Sequence, residues 1–336
     1  MSRQTDPMPS AEIVFDTLFA YQKSAALKTA IDLELFTAID HGAHTAAAIA
    51  ARTNVSERGA RILCDYLTVN GLLAKSDSTY QLVPESAAFL SKKSPAYLGT
   101  VADFLLRPEF KNNFENLTEA VRRGGVGPHD NNIVSNENPV WVEFARSMMP
   151  MMIPAAHAIA DRLASNDSIK VLDIAAGHGA FGIAMARRSP KAEIVALDWQ
   201  PVLRLAEEHA KAAGVHDRYR TIAGDAFTVD YGAGYDVVLV TNFLHHFDPP
   251  TNTNMLKKVH AALKPGGRVA VLEFMPNPDR VSPPMPARFS LTMLAETAGG
   301  DAFTFAELRG QLESAGFHDV EAHSLPTPQT LLVAQK

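Results

Sequence analysis

The sequence predicts an α/β protein: a doubly wound, mostly parallel sheet with one antiparallel terminal strand, preceded by a mainly helical module. Three observations carry this expectation. Short apolar runs near 169–175, 193–198, 219–223, 235–241 and 268–274 alternate with helical patterns. The last two runs, around 318–323 and 329–335, are separated only by Leu325-Pro326-Thr327-Pro328. So short a connection cannot make a parallel crossover, so these two strands pair antiparallel. Upstream of residue 165 the apolar spacing is helical almost throughout.

Taken in order, residues 11–40 read as one or two amphipathic helices with Ile13, Val14, Leu18, Leu27, Ile31, Leu33 and Leu35 on the apolar side. Thr45 to Ala51 reads as a small alanine-rich helix. Asn54-Val55-Ser56 turns the chain, and Ser56 is placed to cap a second helix through Ile62, Leu63, Tyr66 and Leu67 that ends at Asn70-Gly71. Leu72–Ala74 and Tyr80–Leu82 then pair as a short ribbon. Helix, turn, helix and ribbon together describe a winged-helix module. A DNA-reading helix needs Arg, Lys or Asn facing bases with basic neighbours for phosphate. Here Arg58 and Arg61 are offset by Glu57 and Asp65 on a largely apolar segment, which suits packing better.

Further helical pattern surrounds Leu90, Leu98, Val101, Phe104 and Leu105, followed by a polar, glycine-rich loop from Arg122 to Asn138. Trp141 to Ala164 reads as a connecting helix containing the run Met148-Met149-Pro150-Met151-Met152, with Pro150 and Pro154 expected to kink it. Methionines there either fill irregular core gaps or, with Phe144, Met148 and Met152 on one side, form a wall for a flat apolar ligand. The expected domains are 1–100, the winged-helix-like module; 101–165, a helical connector; and 166–336, the sheet domain.

The sheet domain opens on Ile169 to Gly182, IKVLDIAAGHGAFG. An apolar strand interrupted by Asp173 breaks into Gly177, Gly179 and Gly182 and continues as a helix. Glycines let backbone approach a ligand, and the helix start offers free N–H groups. Gly177-x-Gly179-x-x-Gly182 with Asp198 downstream also fits a dinucleotide fingerprint. Against a nicotinamide cofactor stand the acidic residue inside the strand, the two alanines before the first glycine, and the lack of a second dinucleotide half. Downstream the chain carries ALDW at 196–199, GDAF at 224–227, NFLHHF at 242–247, LKPGG at 263–267 and VAVLEF at 269–274. With these motifs the chain resembles class I S-adenosylmethionine-dependent methyltransferases with a Rossmann-like sheet. More narrowly, it is similar to small-molecule O-methyltransferases of the caffeate, hydroxyindole and bacterial polyketide-tailoring kind. The resemblance covers nearly the whole chain, and its specific motifs lie in the sheet domain.

In such a sheet, ligands bind at the carboxyl ends of the strands near the topological switch. The candidate cofactor residues are Ala175, Gly177 and Gly179 in the turn, and Asp198 for the ribose hydroxyls with Trp199 beside the adenine. Asp225, Ala226 and Phe227 complete the adenine end, and Thr241 and Asn242 lie toward the methionine end. A strand-end aspartate also serves as a helix N-cap; two in this order after a glycine turn point to a nucleoside. Plant members carry a lysine just before the fourth-strand exit where this chain has Thr241.

Transfer to oxygen requires an acceptor held in line, water excluded and the hydroxyl proton removed. The resemblance places the general base at His245, directly after the fourth strand. The Asp usual at the next position is replaced by His246, which leaves the two histidines as alternatives. Glu273, at the end of the fifth strand, is expected to orient the base. Plant members use a second Glu after a Gly-Gly pair; here Gly299-Gly300 is followed by Asp301-Ala302, so that carboxylate is missing or supplied by Asp301. Phe289 and Met293 join Phe144, Met148 and Met152 as candidate acceptor contacts. His157, His178, His245 and His246 lack close metal-ligand spacing, and no metal is expected.

Composition bounds the reading. Hydrophobic residues at 46% and charged residues at 20% of 336 fit an ordinary globular protein with a large core. The net charge of -6 gives no overall pull toward nucleic acid or anionic membrane. One cysteine, Cys64, excludes an internal disulfide framework and points to a reducing cytoplasm, and the resemblance implies a homodimer formed through the N-terminal module. The N-terminal MSRQTDPMPS has no apolar signal core, and no run is long enough to span a bilayer. Two further readings stay open: methyl transfer to C, N or S (or a non-methylating relative), and a winged-helix regulator that uses S-adenosyl-L-methionine as a ligand.

Overall fold

The structure is a computed structural model that describes residues 9–127 and 139–336. It divides into two compact units, residues 1–106 and 107–336.

The first unit holds α1 (Glu12–Leu18), α2 (Ala20–Asp32), α3 (Leu35–Asp40), α4 (Ala46–Thr53), α5 (Glu57–Val69), β1 (Leu73–Ser76), β2 (Thr79–Leu82), α6 (Pro84–Phe89) and α7 (Gly99–Leu105). The expected one or two helices over 11–40 are three. The break before α3 falls at Glu34, which takes a left-handed φ of 52° that no glycine announces. Thr45 caps α4 by accepting from the Ala48 N–H, and Ser56 caps α5 by accepting from Gly59 N–H, as its position predicts. β1 and β2 form the antiparallel ribbon, with Leu73 opposite Leu82. Leu35, Phe36, Ile39, Ile49, Cys64, Leu67 and Tyr80 make the core of this unit.

The second unit begins with α8 (Pro108–Glu115) and α9 (Leu117–Arg123) and continues after residue 138 with α10 (Val140–Leu163). The expected loop from 122 therefore starts one residue after Arg123, and its stretch 128–138 lies outside the described residues. α10 runs unbroken through Pro150 and Pro154. Then come β3 (Lys170–Ile174), α11 (Ala180–Arg188), β4 (Glu193–Asp198), α12 (Gln200–Ala212), β5 (Tyr219–Ala223), β6 (Tyr235–Thr241), α13 (Pro249–Ala262), β7 (Leu263–Glu273), α14 (Pro284–Glu296), α15 (Phe305–Ser314), β8 (His318–Ser324) and β9 (Thr330–Gln335).

The sheet order is β5-β4-β3-β6-β7-β9-β8. The first five strands are parallel, and β9 runs antiparallel between β7 and β8. One antiparallel strand in a doubly wound sheet is the expected fold. The order reverses between β3 and β6, so their carboxyl ends frame the crevice where such sheets bind ligands. Both strands leave the sheet through a non-glycine residue in the left-handed region: Ala175 at φ 53° and Asn242 at φ 51°. Such conformations cost ~1–3 kcal/mol and persist where the surroundings over-determine them.

One expectation fails here. Helices were expected between the five parallel strands, yet residues 224–234, between β5 and β6, contain none. Gly224, Gly232 and Gly234 take positive φ, and the Lys258 ammonium donates to the carbonyls of Ala226, Phe227 and Val229. The carbonyls of three neighbouring residues are thus satisfied by a side chain from α13 rather than by a helical ladder. Among the described residues no helix is long and apolar enough to cross a membrane.

Candidate active site

The glycines after β3 have distinct tasks. Gly177 (φ 57°) donates its N–H to Asp198 Oδ2 at 2.8 Å. A Cβ on Gly179 would stand 2.8 Å from the Tyr219 hydroxyl, and one on Gly182 would stand 2.8 Å from Ile194 and 3.0 Å from Asp173 Oδ2. Gly179, at φ 76°, is thus pressed against Tyr219 and Ala206 of α12, and Gly182 lets α11 pack tightly on the sheet. Asp173, the acid inside the strand, is wholly buried and accepts from Gly182 N–H. Burial pushes it up to about 7, with the nearby Asp198 adding to the rise.

Asp198 ends β4. Its Oδ1 accepts from Trp199 N–H and its Oδ2 from Gly177 N–H, yet burial outweighs both and pushes it up to about 6. Each oxygen keeps a further lone pair. Asp225 holds its own turn by accepting from Phe227 N–H. Asp198 and Trp199 line two adjoining cavities. One is closed by Gly224, Asp225, Ala226, Phe227, Phe243 and Phe247. There Phe227 stacks on Phe243 at 6.0 Å and meets Phe247 edge-on at 4.7 Å. The other is lined by Trp141, Phe144 and Met152 of α10, the turn Ala175–His178, Phe181, and Thr241, Asn242, Phe243 and His246. Asn242 Oδ1 is buried with no partner in this cavity wall, while its Nδ2 points at Met152 Sδ, 3.5 Å away.

These residues fit a nucleoside joined to an amino acid. Two carboxylates stand at the strand ends for hydroxyl and amino donors, aromatic rings flank one cavity, and an unmet amide oxygen awaits a donor in the other. Of the expected cofactor residues, Gly179 is the one that packs against Tyr219 and lines neither cavity.

The expected reacting centre is where β6 and β7 end. Leu244–His246 form a single tight 3₁₀ turn. Glu273 Oε1 accepts the backbone N–H groups of Phe243, Leu244 and His245, at 3.0, 2.8 and 3.3 Å. Glu273 Oε2 lies 2.6 Å from His245 Nδ1. His245 is 4% exposed and Glu273 1%. The Phe289 ring meets the His245 imidazole edge-on at 4.8 Å, with Phe274 packed on Phe289 at 4.3 Å. His246, whose ring centroid lies 4.3 Å from that of His245, is the one of this pair that lines the α10 cavity, against Trp141 at 5.5 Å. Burial, and then the neighbouring His245, hold it well below the ordinary imidazole range, and its Nδ1 has no partner.

Among the expected acceptor contacts, Phe144 and Met152 line the cavity, Met148 and Met293 are buried, and Phe289 sits on His245. Asp301 does not supply a second carboxylate at the base: its Oδ2 pairs with Arg280 at 3.1 Å, and Ala302 is buried. Sequence reasoning missed Trp141, His178 and Phe181 as cavity residues. The signal available for the first was its spacing of three from Phe144 on one helix. Among the described residues no cluster of His, Cys, Asp or Glu is arranged to hold a metal.

Comparison with known proteins gives the family. The O-methyltransferase domain family matches residues 132–318, and the O-methyltransferase dimerisation domain family matches residues 15–92. The chain belongs to the O-methyltransferase family. It is a methyltransferase whose donor is S-adenosyl-L-methionine, and it carries a dimerisation domain. It is 29% identical to the tetracenomycin polyketide synthesis 8-O-methyltransferase of Streptomyces glaucescens, with 96% of each chain covered. It is also 29% identical to the 3-hydroxy-5-methyl-1-naphthoate 3-O-methyltransferase of Streptomyces sahachiroi, over 91% of this chain and 89% of that one. A crystal structure of a candidate O-methyltransferase from Nostoc punctiforme PCC 73102 superposes with a TM-score of 0.94 at 48% identity, covering 98% of this chain and all of that one.

Proposed function

We propose that this enzyme methylates a hydroxyl group of a small aromatic molecule, with His245 as general base and Glu273 as the residue that orients it. The observation that carries the reading is the buried His245–Glu273 pair at the β6 and β7 exits, one residue from a cavity walled by aromatic rings. The aromatic acceptor named for the naphthoate relative supports the substrate class.

Asp198 would hold the ribose hydroxyls of the cofactor, Asp225 the adenine amino group, Trp199 and Phe227 the ring, and Asn242 Oδ1 the amino-acid ammonium. Bound there, S-adenosyl-L-methionine supplies an activated methyl group on a sulfonium. The protein's work is positioning and proton removal. Because Glu273 Oε1 is taken up by three backbone N–H groups, Oε2 is left to accept from His245 Nδ1–H. That fixes the tautomer whose Nε2 carries the lone pair. His246, kept uncharged by burial and with no carboxylate to orient it, serves as cavity wall. Phe144, Met152 and Phe289 offer flat or polarizable surface to an aromatic acceptor.

Homodimer formation through the N-terminal unit belongs to the same proposal, supported by its family match and its exposed apolar helices. A cytoplasmic location is proposed with it, on the strength of one cysteine in 336 residues.

The test is a screen of phenols, naphthols, thiols and amines with methyl-labelled cofactor and the full-length protein. Label recovered as an aryl ether is the expected result. Label on sulfur, nitrogen or carbon would move the enzyme to another acceptor class. Cofactor binding with no transfer to any acceptor, joined to salt-sensitive DNA binding, would favour a regulator.

A further inference from the structure

We infer that Glu296 is an acceptor-recognition residue: its free carboxyl oxygen takes a second hydroxyl on the aromatic acceptor, at the end remote from the reacting one. The inference rests on the proposed transfer to an aromatic hydroxyl and adds to it the kind of acceptor.

Glu296 is the last residue of α14. Steps of 100° per residue bring Phe289, Met293 and Glu296 onto one face of that helix. Phe289 marks that face as the side toward His245, which its ring meets at 4.8 Å. A rise of 1.5 Å per residue puts Glu296 about 10 Å farther along the axis, past buried Met293. Glu296 is 2% exposed. Its Oε2 accepts from Asn113 Nδ2 at 2.7 Å, but its Oε1 is shielded from solvent and has no partner. A buried oxygen left unmet is unfavourable, and one on the helix face that carries Phe289 to His245 calls for a partner brought by the ligand.

The other carboxylates of this region are committed. Both oxygens of Glu273 are engaged, Asp301 pairs with Arg280, and the unmet oxygen of Asp173 belongs to the turn beneath α11. Burial pushes Glu296 up to about 7 against the Asn113 hydrogen bond, so both protonation states are populated near neutrality. A hydroxyl suits both, since it donates to the carboxylate and accepts from the acid.

The test uses the full-length protein loaded with S-adenosylhomocysteine and two probes, 2-naphthol and 2,7-dihydroxynaphthalene, with affinities read by calorimetry. The parent should bind the diol at least about tenfold more tightly, which corresponds to a difference of ~1.4 kcal/mol. Glu296→Gln should narrow the ratio and Glu296→Leu should remove it. Equal affinities in the parent, no binding of the diol, or a ratio that survives in Glu296→Leu would each overturn the inference. Labelled-methyl turnover separates the two layers. Methylation of both naphthols without a diol preference sinks the role of Glu296 alone. A diol preference without methylation of either sinks the transfer reading alone.

Discussion

His245 Nδ1 and Glu273 Oε2 are 2.6 Å apart in a pocket almost closed to solvent, and the other oxygen of the same carboxylate gathers three consecutive backbone N–H groups. One side chain therefore both builds the turn and aims the imidazole. The two tasks separate by substitution. In Glu273→Gln the amide oxygen can keep the three N–H groups, but its NH₂ then faces His245 Nδ1 and drives the ring proton onto Nε2. Turnover should fall by about 10²–10⁴ with little loss of melting temperature. Glu273→Ala leaves buried N–H groups unmet at ~1–3 kcal/mol each and should also destabilise the fold. Equal turnover in Glu273→Gln and the parent would remove the orienting role.

His245→Ala should lose about 10²–10⁴ in rate while binding S-adenosylhomocysteine normally. His246→Ala should lose much less, since burial holds that ring uncharged and no carboxylate orients it. A phenol already ionised at the assay pH should partly escape the His245→Ala defect, because no proton then has to leave. Parent-like turnover of a neutral hydroxyl acceptor by His245→Ala would end the assignment.

Cofactor affinity should carry the signature of Asp198. Burial lifts its pKa in the free protein to about 6, and the ionised form is the one that accepts two hydroxyls. Affinity for S-adenosylhomocysteine should be flat above pH 6 and should weaken below it, approaching tenfold per unit. Asp198→Asn should bind about tenfold to a hundredfold more weakly at pH 8 and lose the bend near pH 6. Calorimetry from pH 5 to pH 8 decides this, and a bend that survives in Asp198→Asn assigns the proton elsewhere.

Gly300 lies against the turn that carries His245. A Cβ built on it would fall 2.1 Å from the His245 carbonyl oxygen and 2.7 Å from Thr297 Oγ1. Gly300→Ala must push backbone aside, at roughly 1–3 kcal/mol, and should lower turnover by displacing His245. Gly310→Ala is the counterpart: it sits inside α15, where an added Cβ meets nothing within 4 Å. That change should stabilise by about 0.5–1 kcal/mol without touching activity. Thermal melts and turnover of the two variants side by side test the packing argument.

In the N-terminal unit, α1 buries none of its residues, and Ile13, Phe15, Leu18 and Phe19 are at least half exposed. Contiguous apolar surface of this kind marks an association site. Sedimentation at micromolar concentration should give a dimer, and Phe15→Asp with Leu18→Asp should shift it toward monomer. A monomeric parent would exclude the homodimer.

Much of the sheet unit was legible because it depends on spacing along the chain. Strand order puts Glu273 beside the turn after β6, and the glycine turn puts Asp198 next to Gly177. What stayed hidden depends on where distant segments meet. Nothing near Gly300 announces the His245 carbonyl 55 positions earlier. Trp141 gains its place from where α10 settles against His246. The helix expected after β5 gives way because Lys258, on α13, satisfies the loop carbonyls. Ala175 and Asn242 occupy left-handed positions that sequence reasoning reserves for glycine, so their backbones are set by the sheet around them.

The insertion of β9 between β7 and β8 has a consequence for synthesis. Glu273 pairs across the sheet with Thr330, and Leu331 to Gln335 cover the rest of that edge of β7. A nascent chain can assemble the five parallel strands and still lack the neighbour that steadies the strand bearing Glu273. The support of the His245–Glu273 pair is therefore completed only when residues 330–335 have left the ribosome, and a chain cut short before them should emerge with that pair unsteadied.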